Sequence, residues 1–142
     1  MPVRMELARI LIRELADMQI IELREASPVD LDAVRSFPIV IGLPEAQAIE
    51  RRLKGTVLKR PQTHDLLATI IDDLGATLLS ITVSDLKDQT FFATLDIRTQ
   101  AGDVLNIDSR PSDAIAIGIA QDVPIFVEEE VLEAVMRDPP EV

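Results

Sequence analysis

At 142 residues and 15.7 kDa, with 47% hydrophobic and 27% charged side chains, the chain is sized for one folded domain and has enough apolar material to offset its ordering entropy. The absence of Cys excludes disulfides, thiolate zinc sites, iron–sulfur ligation and cysteine nucleophiles. A single His excludes the His₂ and His₃ zinc centres within one chain, so any metal site would be carboxylate-rich and suited to hard cations such as Mg²⁺, Mn²⁺ or Ca²⁺.

A formal net charge of −11 opposes binding to a polyphosphate backbone unless cations or a local basic patch intervene. The charge is uneven: residues 1–60 carry ten Lys or Arg against nine Asp or Glu, and residues 61–142 carry four against sixteen. Arg51, Arg52, Lys54, Lys59 and Arg60 form the one stretch able to attract phosphate locally, or simply a solvated helix face running into a loop. No apolar run approaches the ~20 residues of a membrane-spanning helix, and the charged N-terminus MPVRMELARILIREL does not read as a signal or anchor. A cytoplasmic protein is expected.

In chain order, MELARILIREL and MQIIELRE fit strands about as well as helices by pattern; no helix cap is visible, and it is the family resemblance set out below that implies a strand pair here. Residues 26–34 form a loop or helical turn, and SFPIVIG a brief strand that Pro38 either places at a sheet edge or makes start late. Pro44 opens a helix, PEAQAIERRLK, with Ala46, Ile49 and Leu53 as its apolar stripe and Gly55 as its stop. Thr63 is the expected N-cap of a second helix ending at Gly75, whose buried face would be Leu66, Leu67, Ile70, Ile71 and Leu74.

Two period-two alternations follow, at 79–84 and 91–98, and with VLNIDS they predict a three-stranded antiparallel meander spanning roughly 76–109. Pro111 begins a helix, SDAIAIGIA, that is apolar nearly all round and should be buried. PIFV is a last short strand, and EEEVLEAVM a helix before the tail at 137–142. The fold class is therefore α+β: one compact domain over 1–142, with an antiparallel-rich mixed sheet and three to four helices.

Three stretches place a carboxylate or His at a helix entrance beside apolar residues: Gly42–Glu45, Thr63–Asp65 and Asp108–Asp113. A cleft built from them would gather Glu45, His64, Asp65, Asp108, Arg110 and Asp113, a set able to bind a divalent cation or to shift its own pKa values. Each member also has a plainer role. Asp65 and Glu45 suit the positive ends of their helices, Asp113 with Arg110 could be a buried ion pair, and His64 a satisfied border histidine. Ser112 beside Asp113 lacks a Gly-x-Ser-x-Gly elbow, and no Gly-rich phosphate loop or dinucleotide fingerprint is present, so no organic cofactor is expected. With no Trp or Tyr and four Phe, the chain lacks stacking platforms for single strands; Phe92 is the one candidate.

Read in order, FPIVIGLPEAQAIE, KRPQTHDLLATIIDDLGA and NIDSRPSDAIAIGIAQDVPIFV resemble the bifunctional nuclease domain family, a small bacterial domain with plant relatives, over about residues 37–135. Gly42, Glu45, Ala46 and Ile49 match its first motif. Arg60, Pro61, Thr63, His64, Asp65 and Leu66 match the second, and Asp108, Arg110, Pro111, Ser112, Asp113 and Ala114 the third. Before residue 36 the sequence departs from the family pattern of a longer strand pair with an acidic turn. The resemblance implies a compact α+β domain, a homo-oligomer with a dimer favoured, and a nuclease label that rests on plant members acting on RNA and DNA.

Two readings stand side by side. In one, the protein is a divalent-metal-dependent nuclease. Glu45, Asp65, Asp108 and Asp113 hold Mg²⁺ or Mn²⁺, and His64, Asp65, Asp108, Arg110 and Asp113 carry the chemistry. Arg60, Arg110 and Ser112 meet the RNA or DNA. In the other, the same residues form an ion-paired network in a non-catalytic binding or regulatory module, which the net charge and the poverty of aromatics favour.

Overall fold

The computed structural model describes residues 1–140 and shows the α+β architecture. Seven strands form one mixed sheet: β1 (Pro2–Leu11), β2 (Gln19–Glu25), β3 (Ser36–Ile41), β4 (Thr77–Lys87), β5 (Thr90–Arg98), β6 (Val104–Ser109) and β7 (Ile125–Glu128). Four helices accompany it: α1 (Leu43–Lys54), α2 (Thr63–Asp73), α3 (Pro111–Gly118), extended by a 3₁₀ turn at Ile119–Gln121, and α4 (Glu129–Arg137). The strand order is β3-β2-β1-β7-β4-β5-β6, antiparallel throughout except for the β4–β7 pair.

The N-terminal segments do pair as strands, with a bulge between Leu7 and Arg9. Pro38 lies on the edge strand β3, where a missing N–H costs no ladder bond. The meander forms as the alternation predicts, and its first turn is tighter than the expected four-residue connector. Lys87 pairs with Thr90, and Asp88 and Gln89 take the turn at φ 50° and 62°. Thr63 is the first helical residue of α2 rather than its cap, which is Gln62, a one-residue shift. Gly55 and Gly75, at φ 68° and 76°, end α1 and α2. The amides just beyond them turn back onto Arg51 and Ile71 carbonyls in the six-to-one bond that a left-handed residue permits.

Strand register shows which face is the core. Met5, Ile125, Ile81 and Leu95 are successive neighbours across four strands, as are Val127, Val83 and Ala93, and all are buried against the helices. The alternate row, Arg4, Phe126, Thr82, Thr94 and Asp108, faces the other way. α3 is buried on nearly every side, as its composition demands, and packs Ala114 and Ile117 against Leu78, Ile81, Leu95 and Ile97.

α2 departs from expectation. Its wheel was read as a single buried face, yet Leu66, Leu67, Ile70 and Leu74 are 49%, 39%, 43% and 69% exposed, and only Ala68 and Ile71 pack onto the core. The apolar arc of α2 is wider than the strip of core available to it.

Candidate active-site cleft

The two ends of α3 organise the polar interior. At its C-terminal end Arg52, from the last turn of α1, is buried. Its Nε donates to Ala116 O, its Nη2 to Ile117 O and its Nη1 to Asp65. Those carbonyls lack helical partners, and a cation there also meets the negative end of the helix. Arg51 adds a two-pronged bond to the same carboxylate, with Nη2 2.9 Å from Oδ2. Asp65 also accepts the backbone N–H of Gln62, closing the first turn of α2. Burial pushes the Asp65 carboxyl up, but the Gln62 amide and the two guanidinium groups outweigh it and hold the pKa below the usual value.

At the N-terminal end of α3 a cleft of about 530 Å³ opens, lined by Pro44 and Glu45 of α1, Thr63, His64 and Leu67 of α2, Leu95, and residues of the segment Asp108–Ile117. Arg110 caps α3 from its floor. Its Nε lies 2.8 Å from Asp113 Oδ2, its Nη2 3.1 Å from Asp113 Oδ1 and its Nη1 2.9 Å from Glu45 Oε1. The Arg110 side chain is nevertheless 63% exposed, so two of its five N–H groups remain directed to solvent.

His64 completes the cluster, with Nε2 2.9 Å from Asp113 Oδ1. Burial raises the Asp113 pKa, but hydrogen bonds from Arg110 and then His64 more than offset it, so the net shift is downward. Asp113 is thus ionised at neutral pH and can only accept. In the neutral ring Nε2 therefore carries the proton, and Nδ1, which has no partner among the described residues and is not buried, presents a lone pair. Glu45 folds back against Gly42, where a Cβ would lie 2.6 Å from its Oε2. That oxygen is buried without a partner among the described residues.

The residues expected to form one cluster are thus divided. Glu45, His64, Arg110 and Asp113 meet. Asp65 does not join them; it anchors the α1–α2–α3 junction, and Arg51 and Arg52, read as a phosphate-attracting stretch, are spent on it. Asp108 reaches the rim of the cleft, yet its register opposite Thr94 sets it on the sheet face away from Asp113, and it forms no ion pair among the described residues. Ser112 is 5% exposed and is absent from the cleft wall. Arg60 is exposed and lines neither hollow; its chain neighbour Pro61 borders a second depression that shares Pro44, Thr63 and His64 with the cleft.

The four residues named as cation ligands do not fit that role. The Arg110 guanidinium already bridges Glu45 and Asp113, and no group of three or more His, Asp or Glu side chains converges among the described residues.

Sequence reading missed Arg52 as an anchor and Leu67, Leu95 and Ile117 as cleft walls. It also missed Asp96, a buried carboxylate on the sheet face opposite the helices. Asp96 accepts from Ser80, Thr82, Thr94 and Asn106, four donors that overcome the burial penalty and lower its pKa. The alternation of Ser80, Thr82, Thr94 and Asp96 with apolar residues was the available signal.

Comparison with known proteins agrees with this arrangement of motifs. The bifunctional nuclease domain profile matches residues 29–139. The chain belongs to the bifunctional nuclease domain family. It is also 41% identical over 98 residues to Uncharacterized protein MT1877 of Mycobacterium tuberculosis (strain CDC 1551 / Oshkosh) and, to the same extent, to Uncharacterized protein Rv1829 of strain ATCC 25618 / H37Rv. The match covers 69% of this chain and 57% of each relative, so the chain spans little more than half the length of these relatives. No helix among the described residues is long and apolar enough to cross a membrane.

Proposed function

We propose that this bifunctional nuclease domain hydrolyses phosphodiester bonds of RNA or DNA in the cleft at the N-terminal end of α3. The observation that carries the reading is the His64–Asp113 pair, 2.9 Å apart, in an open cleft with the His64 Nδ1 lone pair free. Nδ1 takes the proton from the attacking hydroxyl or water, and Asp113 fixes the ring and stabilises the imidazolium that results. The two unspent N–H groups of Arg110 bind the phosphoryl oxygens, and Thr63 offers a hydroxyl on the same wall. Arg60, exposed and adjacent in the chain to Pro61 of the adjoining depression, extends the positive path along the backbone of the nucleic acid.

The cleft holds three carboxylates, Glu45, Asp108 and Asp113, against one guanidinium, in a chain of net charge −11. Mg²⁺ or Mn²⁺ arriving with the polyphosphate would offset that field, and no preformed site for either ion is present among the described residues. The test is cleavage of single-stranded RNA and DNA in Mg²⁺ or Mn²⁺ by wild type and His64→Ala. Loss of a proton carrier is expected to lower the rate by about 10²–10⁴-fold, and equal rates in the two proteins would overturn the assignment.

A second reading has its own observation. Arg110 is already held by both Asp113 and Glu45, the pattern of a network that fixes helix positions in a binding or regulatory module. That reading predicts loss of stability without any catalytic difference.

A further inference from the structure

His64 and Arg110 meet on one atom. His64 Nε2 lies 2.9 Å and Arg110 Nη2 3.1 Å from Asp113 Oδ1, so the open Nδ1 lone pair and the two unspent N–H groups of Arg110 are held around a single carboxylate. A base and a phosphate binder fixed this closely suit a nucleophile that stands beside its own phosphate. In RNA the 2′-hydroxyl is such a group, on the carbon next to the one that carries the 3′-phosphodiester, and DNA lacks it.

The rest of the cleft favours the same nucleophile. Glu45 and Asp113, two of the three carboxylates that line it, are already bound to Arg110, and Ser109 Oγ donates to the Arg110 carbonyl, so few groups are left to orient a free water. Three carboxylates against one guanidinium also repel hydroxide, which leaves a neutral hydroxyl as the better attacker. A hydroxyl tethered to the substrate arrives already positioned, an advantage on the order of 10⁵-fold or more in well-oriented intramolecular reactions. Among the described residues the cleft wall includes no aromatic ring, Asn or Gln, the usual readers of a base, so the ribose and phosphate are what it can recognise.

We propose that the cleft cuts RNA and not DNA, by transesterification, with the substrate's own 2′-hydroxyl as the nucleophile. The inference rests on the phosphodiesterase reading above and narrows its substrate to RNA. His64 Nδ1 takes the O2′ proton as O2′ bonds to phosphorus, the phosphorus–O5′ bond breaks, and the leaving O5′ takes a proton from solvent. The imidazolium, paired with Asp113, then returns its proton to solvent. The free N–H groups of Arg110 bind the non-bridging oxygens, where charge grows as phosphorus becomes five-coordinate. No water is consumed and nothing is oxidised or reduced. The products are a 2′,3′-cyclic phosphate, which keeps the single negative charge of the diester, and a 5′-hydroxyl. DNA, without O2′, is left uncut.

The test is a DNA oligonucleotide carrying a single ribonucleotide, incubated with the full chain in excess EDTA, with the products weighed by mass spectrometry at early times. Cobalt(III) hexaammine, whose ligands do not exchange, supplies the charge screening, and a parallel series has Mg²⁺ in place of both. The expected result is one cut on the 3′ side of the ribonucleotide, leaving an end lighter by one water than a 3′-monophosphate. An all-deoxy strand should be cut at least about 10³-fold more slowly. His64→Gln, purified in parallel, keeps an N–H for Asp113 but has no basic nitrogen, and should lose about 10²–10⁴-fold of the cleavage with unchanged melting. Cleavage that appears only in Mg²⁺, a comparable rate on the all-deoxy strand, or ends carrying a 5′-phosphate would overturn the transesterification and leave a phosphodiesterase in the cleft. Cleavage of neither strand in either condition, or equal cleavage by His64→Gln, would overturn both.

Discussion

The two ends of α3 are each held by an arginine bound to carboxylates, and they differ in one respect. The Arg52 side chain is 8% exposed and spends donors on Ala116 O, Ile117 O and Asp65, whereas the Arg110 side chain is 63% exposed and keeps N–H groups for a ligand. The same chemistry therefore acts as a clamp at one end and lines an open cleft at the other. Burial, rather than residue type, separates scaffold from site.

The largest effect expected from this contrast is on folding. Arg52→Ala strips two carbonyls and one carboxylate of a buried donor and should cost about 3–5 kcal/mol in urea denaturation. A cost near that of a surface mutation would show that the clamp is redundant with Arg51.

A smaller effect is expected at Asp96, an anion held by four neutral donors rather than by a cation. Asp96→Asn should lower stability by about 1–3 kcal/mol at pH 7, because its amide opposes donors that require an acceptor. The folded-state pKa of Asp96 is lowered, so its contribution is present above the unfolded value of about 3.9 and is lost as pH falls below it. The gap between wild type and variant in thermal melts should close on acidification below about pH 4, and a gap that widens there would contradict the sign.

The smallest effect belongs to pairs that neither bury nor converge. Arg24 and Glu6 are 2.7 Å apart on the open sheet face but 50% and 49% exposed, so Arg24→Ala should change stability by about 0–1 kcal/mol in the same denaturation assay. A larger loss there would remove burial as the criterion.

Much of this was legible in the sequence for reasons that are local. Alternation at 79–84 and 91–98 located the meander, Pro38 the edge, Gly55 and Gly75 the helix ends, and the all-apolar SDAIAIGIA the buried helix. What failed was non-local. A helix wheel shows that Leu66, Leu67, Ile70 and Leu74 are apolar but not whether a core reaches them. Helix-entrance acids look alike until pairing decides which arginine each one meets, so Asp65 was grouped with Glu45 and Asp113 although Arg51 and Arg52 claim it. Asp108 reaches the cleft as expected, but the register of β6 against β5 fixes it opposite Thr94 and apart from the Glu45–Arg110–Asp113 ion pairs, which only strand pairing could show. His64, Arg110, Asp113 and Glu45 came together because each sits within the first turn or cap of its helix, and those three helix starts surround one cleft.

The most direct test is Arg110→Ala, measured for nucleic-acid cleavage and thermal melting in one preparation. Cleavage of RNA or DNA by wild type that falls about 10²-fold or more in the variant, with melting changed far less than by Arg52→Ala, is the result predicted for an exposed phosphate-binding arginine. Melting that drops as far as in Arg52→Ala, with no difference in cleavage between the two Arg110 forms, would contradict it and make both ends of α3 scaffold.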